Sequence, residues 1–550
     1  MTEVRSWRAH LPAGSAFDEA DLTKAGSLVR AWSSGWAQAP EAPVLLDGAA
    51  MSPDVVAGHR HRPGTWWSGA ELEQATRRAA GRLVGAGLVP GDRLLWSTGS
   101  SVATLVAHIG ALRAGLVVVP ANTAYTAREI AHIVTDVRPA AAVVDDPQRG
   151  RWAREASAAA AGGSGSAGAA STYSAAGAGS AASGPFTVFG PELDGPDHDP
   201  GPLDVVAPED PALIGFTSGT TGVPKGAVLS HRNLLASVEA VRTAWRWTPE
   251  DRLVHCLPVF HAHGLCVGVY GTLLAGASAV LLPGFDARTA LDAIAEPSAT
   301  LFFGVPTMYH RLAVSDGVAE LGRLRLCVSG SAPLAAELHR QLSAATGQAV
   351  LERYGMTETL MNVSNPYDGE RRPGTVGFPL PGVELSLASD DEILVRGPNV
   401  FGGYCERPEA TAASFSPDPR GGRPWFHTGD LGAVSDDGYL SILGRSKELI
   451  ISGGYNVYPA EVEAVLLGHP EVVDVAVTGT QSDEWGEVVT AWIVTAHDGA
   501  ADGSAIPGLE EFAATRLAPY KRPRLVHVVG ELPRNALGKV VRAELHMRSE

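Results

Sequence analysis

Residues 217–226, TSGTTGVPKG, combine hydroxyls, glycines and a lysine in a way that suits the binding of a polyphosphate. The run starts at Thr217. Gly219 and Gly222 let backbone N–H groups turn toward phosphate oxygens, Ser218, Thr220 and Thr221 add hydroxyl donors, and Lys225 adds a full positive charge. Such a loop is built for ATP. The order is not G-x-x-x-x-G-K-[ST], because Lys225 is followed by Gly226 rather than by a hydroxyl residue, so a P-loop architecture is disfavoured. A flexible Ser/Thr/Gly linker has the same composition, and only the flanks separate the two readings. ALIGF before the loop reads as a buried strand, and AVLSHRNLLASVEAV after it as a second strand and a helix, which puts the loop at a strand end.

The elements that must position this loop alternate. Apolar residues fall at helical spacing over 71–87, followed by PGDRLLWS, a helix near 102–114, GLVVVPAN, a helix near 127–137 and PAAAVVDD. Strand and helix in alternation predict a mostly parallel sheet covered by helices, with ligands at the carboxyl ends of the strands. Alternation resumes at Pro211 and continues through SATLFFGVPTMYHRL, LRLCVSG and a helix near 335–346. Residues 382–403 read as short strands. Beyond GRSKELIISGGYNVYP come a helix at 460–467, strands at VVDVAVTGT and VVTAWIVT and a helix near 509–517, a small α+β domain. Residues 156–184 are almost wholly Ala, Gly and Ser, and on composition they are expected to form a disordered surface insert.

At 550 residues, 45% apolar and 19% charged, the chain is globular in composition and long enough for at least two domains. Its net charge of −17 supplies no basic face for a nucleic acid. Cys256, Cys266, Cys327 and Cys405 are widely spaced without a C-x-x-C pair, so neither a zinc site nor a disulfide framework is suggested, and a reducing cytoplasm fits. No apolar run is long enough to span a membrane and no signal-like segment opens the chain, so the expectation is a soluble, unexported protein.

Five further motifs follow the loop in order: PVFHAHG at 258–264, RYGMTET at 353–359, HTGD at 427–430, GRSKELIISGGYNVYPAEVE from Gly444, and PRNALGK ending at Lys539. Together they resemble the class I adenylate-forming enzymes, which include acyl-CoA synthetases, firefly luciferase and the adenylation domains of peptide synthetases, over roughly residues 70–545. The resemblance implies a large N-terminal AMP-binding domain of layered α/β subdomains with a short β subdomain, residues 39–445. A small mobile α+β C-terminal domain, residues 446–550, would rotate about Lys447. Residues 1–38 have no assigned counterpart.

The same resemblance implies a reaction in which a carboxylate is joined to AMP with loss of pyrophosphate and then passed to a thiol. ATP, Mg2+ and coenzyme A are the implied cofactors and co-substrates. Glu358 would hold magnesium, Thr357 would contact the α-phosphate and Tyr354 would stack near adenine. Asp430 and Arg445 would bind the ribose, and Lys539 would meet the charge that builds in the first transition state. After rotation the Ser452, Gly453, Gly454 and Tyr455 loop would replace Lys539 and admit the pantetheine arm. His261 falls where the family places a gate beside the carboxylate, and His263 has the alternative of simple packing. Each motif also has a bland reading, since TGD and GG are turn signals and a C-terminal lysine is commonly solvated.

GVPTMYHRL, VSGSAPL and ERYGMTETLMN resemble malonyl-CoA synthetases in particular. That likeness implies Arg311 and Ser331 as the receivers of a distal carboxylate and Met356 as the limit of pocket depth. The expected substrate is malonate, with methylmalonate as a further candidate. Arg311 also reads as an exposed helix arginine, in which case the acid is a fatty or aryl monocarboxylate. A non-catalytic acid- or carrier-binding protein on the same fold is the alternative of another class, against which Lys225, Glu358, Asp430, Arg445 and Lys539 stand together.

Overall fold

The structure is a computed structural model that describes residues 2–3, 7–11, 17–48, 66–162, 186–217, 224–452, 455–482, 485–495, 506–535 and 539–546. Short apolar runs form its inner strands. Val117–Pro120, Ala141–Val144 and Leu301–Gly304 are buried at every residue, the pattern of strands covered on both faces. Helices between them start at hydroxyl caps: Ser68, Ser101 and Thr126 each accept a first-turn N–H, with a full capping box at Ser68–Glu71 and Thr126–Glu129.

Two large sheets result. One runs in the order Gly403–Tyr404, Lys225–Ser230, Pro211–Thr217, Val117–Pro120, Arg93–Ser97, Ala141–Val144, Thr187–Phe189, parallel except at the first two pairings. The other runs Phe378–Pro379, Leu360–Ser364, Leu351–Met356, Leu326–Ser329, Leu301–Gly304, Arg252–His255, Ser278–Leu281, Pro43–Asp47, Trp66–Ser68, parallel through its middle. One apolar core joins both sheets. A smaller antiparallel sheet built on Glu384–Leu387, Glu392–Arg396 and Trp425–Val434 adds the β subdomain, and Ile450 onward forms a separate sheet with its own core. This is the α/β architecture expected from the alternation.

One expectation changes. Helix Pro147–Gly162 continues through residues 156–162, so the first seven residues of the Ala/Gly/Ser stretch are helical rather than disordered. The composition argument overlooked that alanine is the best helix former, and ASAAAAG extends a helix already nucleated. Residues 163–184 lie outside the described residues. Within residues 1–38, Thr2–Glu3 pairs with the β subdomain, the His10 ring bonds Phe378 O at 3.0 Å, and helix Leu28–Gln38 buries Trp32 and Trp36 in the main core. The extension is therefore packed against the N-terminal domain.

Candidate active site

Strands Pro211–Thr217 and Lys225–Ser230 pair antiparallel with Thr217 opposite Lys225, so the two ends of the hydroxyl-rich run face each other across a hairpin. Ser218, Gly219, Thr220, Thr221 and Gly222 themselves lie outside the described residues. What surrounds the hairpin is ordered by it. A Cβ on Gly215 would stand 2.5 Å from the Thr357 methyl, so this strand carries no side chain where Thr357 approaches. On the other edge Gly403–Tyr404 pairs with Val228 and Ala227, and Lys225 Nζ lies 5.1 Å from the centroid of the Tyr404 ring. The Tyr404 hydroxyl donates to Glu358 Oε1 at 2.9 Å. Tyr404 thus links the loop lysine to the RYGMTE glutamate. Asn233 supports it from below, donating to Pro398 O and Val400 O at 2.8 Å each.

Asp430 is the second buried carboxylate. Its partner Arg445 sits directly across the strand pair, with Nε 3.1 Å from Oδ1, and the Tyr354 hydroxyl donates to Oδ2 at 2.6 Å. The Tyr354 side chain is thereby aimed at Asp430, which joins an aromatic face to a sugar-sized acceptor. The HTGD segment that carries Asp430, an irregular stretch of strand Trp425–Val434, is pinned by Glu392, which accepts the Gly429 N–H at 2.8 Å and lies 2.7 Å from His427 Nδ1. Burial holds the Glu358 and Asp430 carboxyls above the ordinary carboxylate range; the Tyr404 hydrogen bond opposes this at Glu358, and the Arg445 charge opposes it at Asp430.

Lys539 belongs to the last domain, and its charge is felt at Asp430. Burial, then the Arg445 charge, pushes its pKa down, while Glu448 and Asp430 pull it up, and Asp430 in turn feels the Lys539 charge. Its backbone is tied to Asn535, and three residues on Arg542 bridges Glu448 at 3.0 Å and Glu463 at 2.6 Å. Glu448 ends the short turn that holds the exposed Lys447. Tyr455 is not gathered here: it is exposed and stacks on Tyr520 with centroids 4.6 Å apart. Ser452 is buried on the same segment, and Gly453 and Gly454 lie outside the described residues.

The acid side is arranged differently. The His263 N–H donates to His261 Nδ1 at 3.3 Å, and His263 Nδ1 lies 3.4 Å from Ser331 Oγ. His263 is more than a packed ring. Ser331 has φ of +70°, a left-handed conformation that costs a side-chain-bearing residue energy and turns the hydroxyl toward the histidines. Burial, then the charge of Arg353, lowers His261 to about 4, so it is neutral at ordinary pH. Met356 packs against the main core. Arg311 is exposed on helix Pro306–Ala313, and among the described residues it has no hydrogen bond to Ser331.

Tyr404, Glu392, Arg542 and Arg353 are the contributors that the motifs alone did not single out. The first three act through partners distant in sequence, and Arg353 was legible only as the opening letter of RYGMTE. Among the described residues no cluster of three or more His, Cys, Asp or Glu could hold a metal, and no helix is long and apolar enough to cross a membrane. Glu358 alone is a fitting donor for an ion that takes its other ligands from phosphates and water.

Comparison with known proteins agrees with this geometry. Residues 40–405 match the AMP-binding enzyme family and residues 461–539 the AMP-binding enzyme C-terminal domain. A malonate–CoA ligase of Arabidopsis thaliana is 40% identical over 61% of this chain and 60% of its own length. The chain spans about three fifths of the length of the first curated relatives it matches. A feruloyl-CoA synthase of Streptomyces sp is 36% identical over 91% of this chain and 97% of its own. The ATP-bound MatB of Rhodopseudomonas palustris superposes with a TM-score of 0.76 at 38% identity, covering 92% of this chain and 99% of that one. With the family matched over most of the N-terminal domain and again over the small one, the chain belongs to the AMP-binding enzymes.

Proposed function

We propose that this chain is an AMP-forming acid–thiol ligase that joins malonate to coenzyme A through an acyl-adenylate. The observation that carries the reading is the buried Asp430–Arg445 pair with the Tyr354 hydroxyl on Asp430, beside Glu358, which Tyr404 links to the loop hairpin. In the first step a carboxylate oxygen attacks the α-phosphorus of ATP, the bond to the bridging oxygen breaks and pyrophosphate leaves. Lys539 donates to the α-phosphate as charge accumulates, and Thr357 contacts the same phosphate. Asp430 accepts the ribose hydroxyls, with Arg445 as a further donor. Magnesium, held by Glu358, screens the repelling phosphates when bound. In the second step the thiol sulfur attacks the acyl carbon and AMP departs, after the small domain turns about Lys447 and brings the 452–455 loop inward.

Malonate is supported by Arg311 and Ser331 on the GVPT and VSGSA segments and by the likeness to the malonate–CoA ligase and MatB. A second reading, ligation of a fatty or aryl monocarboxylate, is favoured by the exposed Arg311 and by the longer match to the feruloyl-CoA synthase. Pyrophosphate release and thioester formation across malonate, methylmalonate, succinate, acetate, ferulate and octanoate separate them. Malonate preference that collapses in Arg311→Ala is the expected result. Preference for octanoate or ferulate with an indifferent variant transfers the chain to the second reading.

A further inference from the structure

Ser416, His427 and Glu392 stand in a hydrogen-bonded row on one face of the β subdomain. Ser416 lies opposite Trp425 in register, and His427, two residues further along that strand, shares the face. His427 in turn lies opposite Leu394, two residues beyond Glu392. His427 Nε2 is 3.0 Å from Ser416 Oγ, and His427 Nδ1 is 2.7 Å from Glu392 Oε2.

The chemistry of the partners fixes the proton. An ionised carboxylate only accepts, so Nδ1 carries the hydrogen, and Nε2 of the neutral ring offers its lone pair to the Ser416 hydroxyl. Glu392 is itself held, because its other oxygen, Oε1, accepts the Gly429 N–H at 2.8 Å. The neighbouring cation Arg396 is engaged elsewhere, with Glu384 at 2.6 Å and with Asp418. Strand pairing has its own bonds, the His427 N–H donating to Ser414 O at 2.9 Å. Nor is the row sealed: the His427 side chain is 34% exposed, and Ser416 is half-buried beside the exposed Pro417. A hydroxyl, a base within hydrogen-bond reach and a carboxylate that orients the base are the parts of an activated nucleophile.

We infer that Ser416 is a nucleophile activated by His427 and Glu392, open to activated acyl and phosphonyl compounds such as aryl esters and fluorophosphonates. The inference is independent of the ligation proposed above. With an aryl ester, Ser416 Oγ attacks the carbonyl carbon while its proton passes to His427 Nε2. The bond to the aryl oxygen breaks, and the leaving phenolate takes that proton from His427. Water then attacks the acyl carbon and gives a proton to His427; the bond to Ser416 Oγ breaks, this oxygen recovers the proton, and the acid is released. With a fluorophosphonate the phosphorus is attacked, fluoride leaves and the adduct stays. Good leaving groups define the substrate class, because the row supplies a base and a nucleophile and such compounds ask least of further donors.

The test treats the full-length protein with a fluorophosphonate probe, places the adduct by peptide mass mapping and follows the labelling rate against pH for the native protein, Ser416→Ala and His427→Gln. The expected adduct is on Ser416, formed at a rate that levels off at alkaline pH once the base has lost its proton. An acetyl group from 4-nitrophenyl acetate should appear on the same peptide in acid-quenched samples. His427→Gln should slow labelling by about a hundredfold or more, the size of general-base assistance. Ser416→Ala should take no label there while its ATP-dependent thioester formation, with whichever acid it uses, is unchanged. Absence of either adduct from Ser416, an equal Ser416 labelling rate in His427→Gln, or a native rate that climbs in proportion to hydroxide without a plateau overturns the inference. The pH profile is read on the native protein alone, so it decides even where His427→Gln fails to fold.

Discussion

The two halves of the candidate site differ in how their polar groups are satisfied. On the nucleotide side, Asp430 is held by Arg445 and Tyr354, Glu358 by Tyr404, and the HTGD segment by Glu392. On the acid side, Arg353 keeps two buried nitrogens and His263 one without partners among the described residues, while Arg311 faces solvent. A preorganised half costs little reorganisation when a common ligand arrives, whereas an unsatisfied half gains most from the ligand that completes it. The nucleotide half is thus suited to a ligand that every turnover shares. On the proposed function, choice of acid belongs to the other half. Substitutions on one side should change ATP use irrespective of the acid, and substitutions on the other should change acid choice irrespective of ATP.

The largest expected effect is on the nucleotide side. Lys539→Ala should slow acyl-adenylate formation by about a hundred- to a thousandfold, as for loss of a donor to a developing oxyanion, for every acid alike. Thioester formation from preformed acyl-adenylate should change far less, because the lysine belongs to the first step. Comparable losses in both steps would remove this division of labour. The same lysine sets a pH dependence. On the proposed mechanism its cationic form is the active one, and burial with the Arg445 charge lowers its pKa. Adenylation should therefore decline on the alkaline side below the ordinary lysine value, in pyrophosphate release measured against pH, and an acid-independent limb is the sharper form of the test.

Much of this was readable before any coordinates. The order of motifs carried the family, and the four-residue apolar runs carried the parallel sheets, because a strand buried on both faces leaves an unbroken hydrophobic signature. Asp430 and Arg445 were paired as ligands of one sugar, and they stand opposite each other in register. Three things were not readable. Tyr404 becomes a site residue only because a two-residue strand pairs with the far side of the loop hairpin, a contact between positions distant in sequence. Arg353 stood in view, but its burial depends on Gly330, just past the end of the neighbouring strand Leu326–Ser329. Residues 156–162 are helical despite their low complexity, because alanine's helix propensity extends the helix that precedes them.

Within the nucleotide half, Tyr354→Phe should have the next largest effect. It leaves Asp430 Oδ2 buried without its 2.6 Å donor, a loss of about 1–3 kcal/mol that appears as a roughly tenfold or larger rise in KM for ATP. Malonate and any slower acid should be affected equally. A change in the ratio between acids would mean that Tyr354 reaches into the acid half and would blur the contrast.

Tyr404 tests the smallest step. Tyr404→Phe removes the hydrogen bond to Glu358 but keeps the ring beneath Lys225, whereas Tyr404→Leu removes both. The first should raise KM for ATP by only a few-fold, because a neutral donor to a carboxylate is worth about 1 kcal/mol more than water in a partly open site. The second should add a further factor of about two to five, the size of an exposed cation–π contact. Both effects should be the same with malonate as with a monocarboxylate, and calorimetric binding of ATP should follow the same order without turnover. If Leu and Phe are alike, the lysine does not use the ring, and Tyr404 serves Glu358 alone.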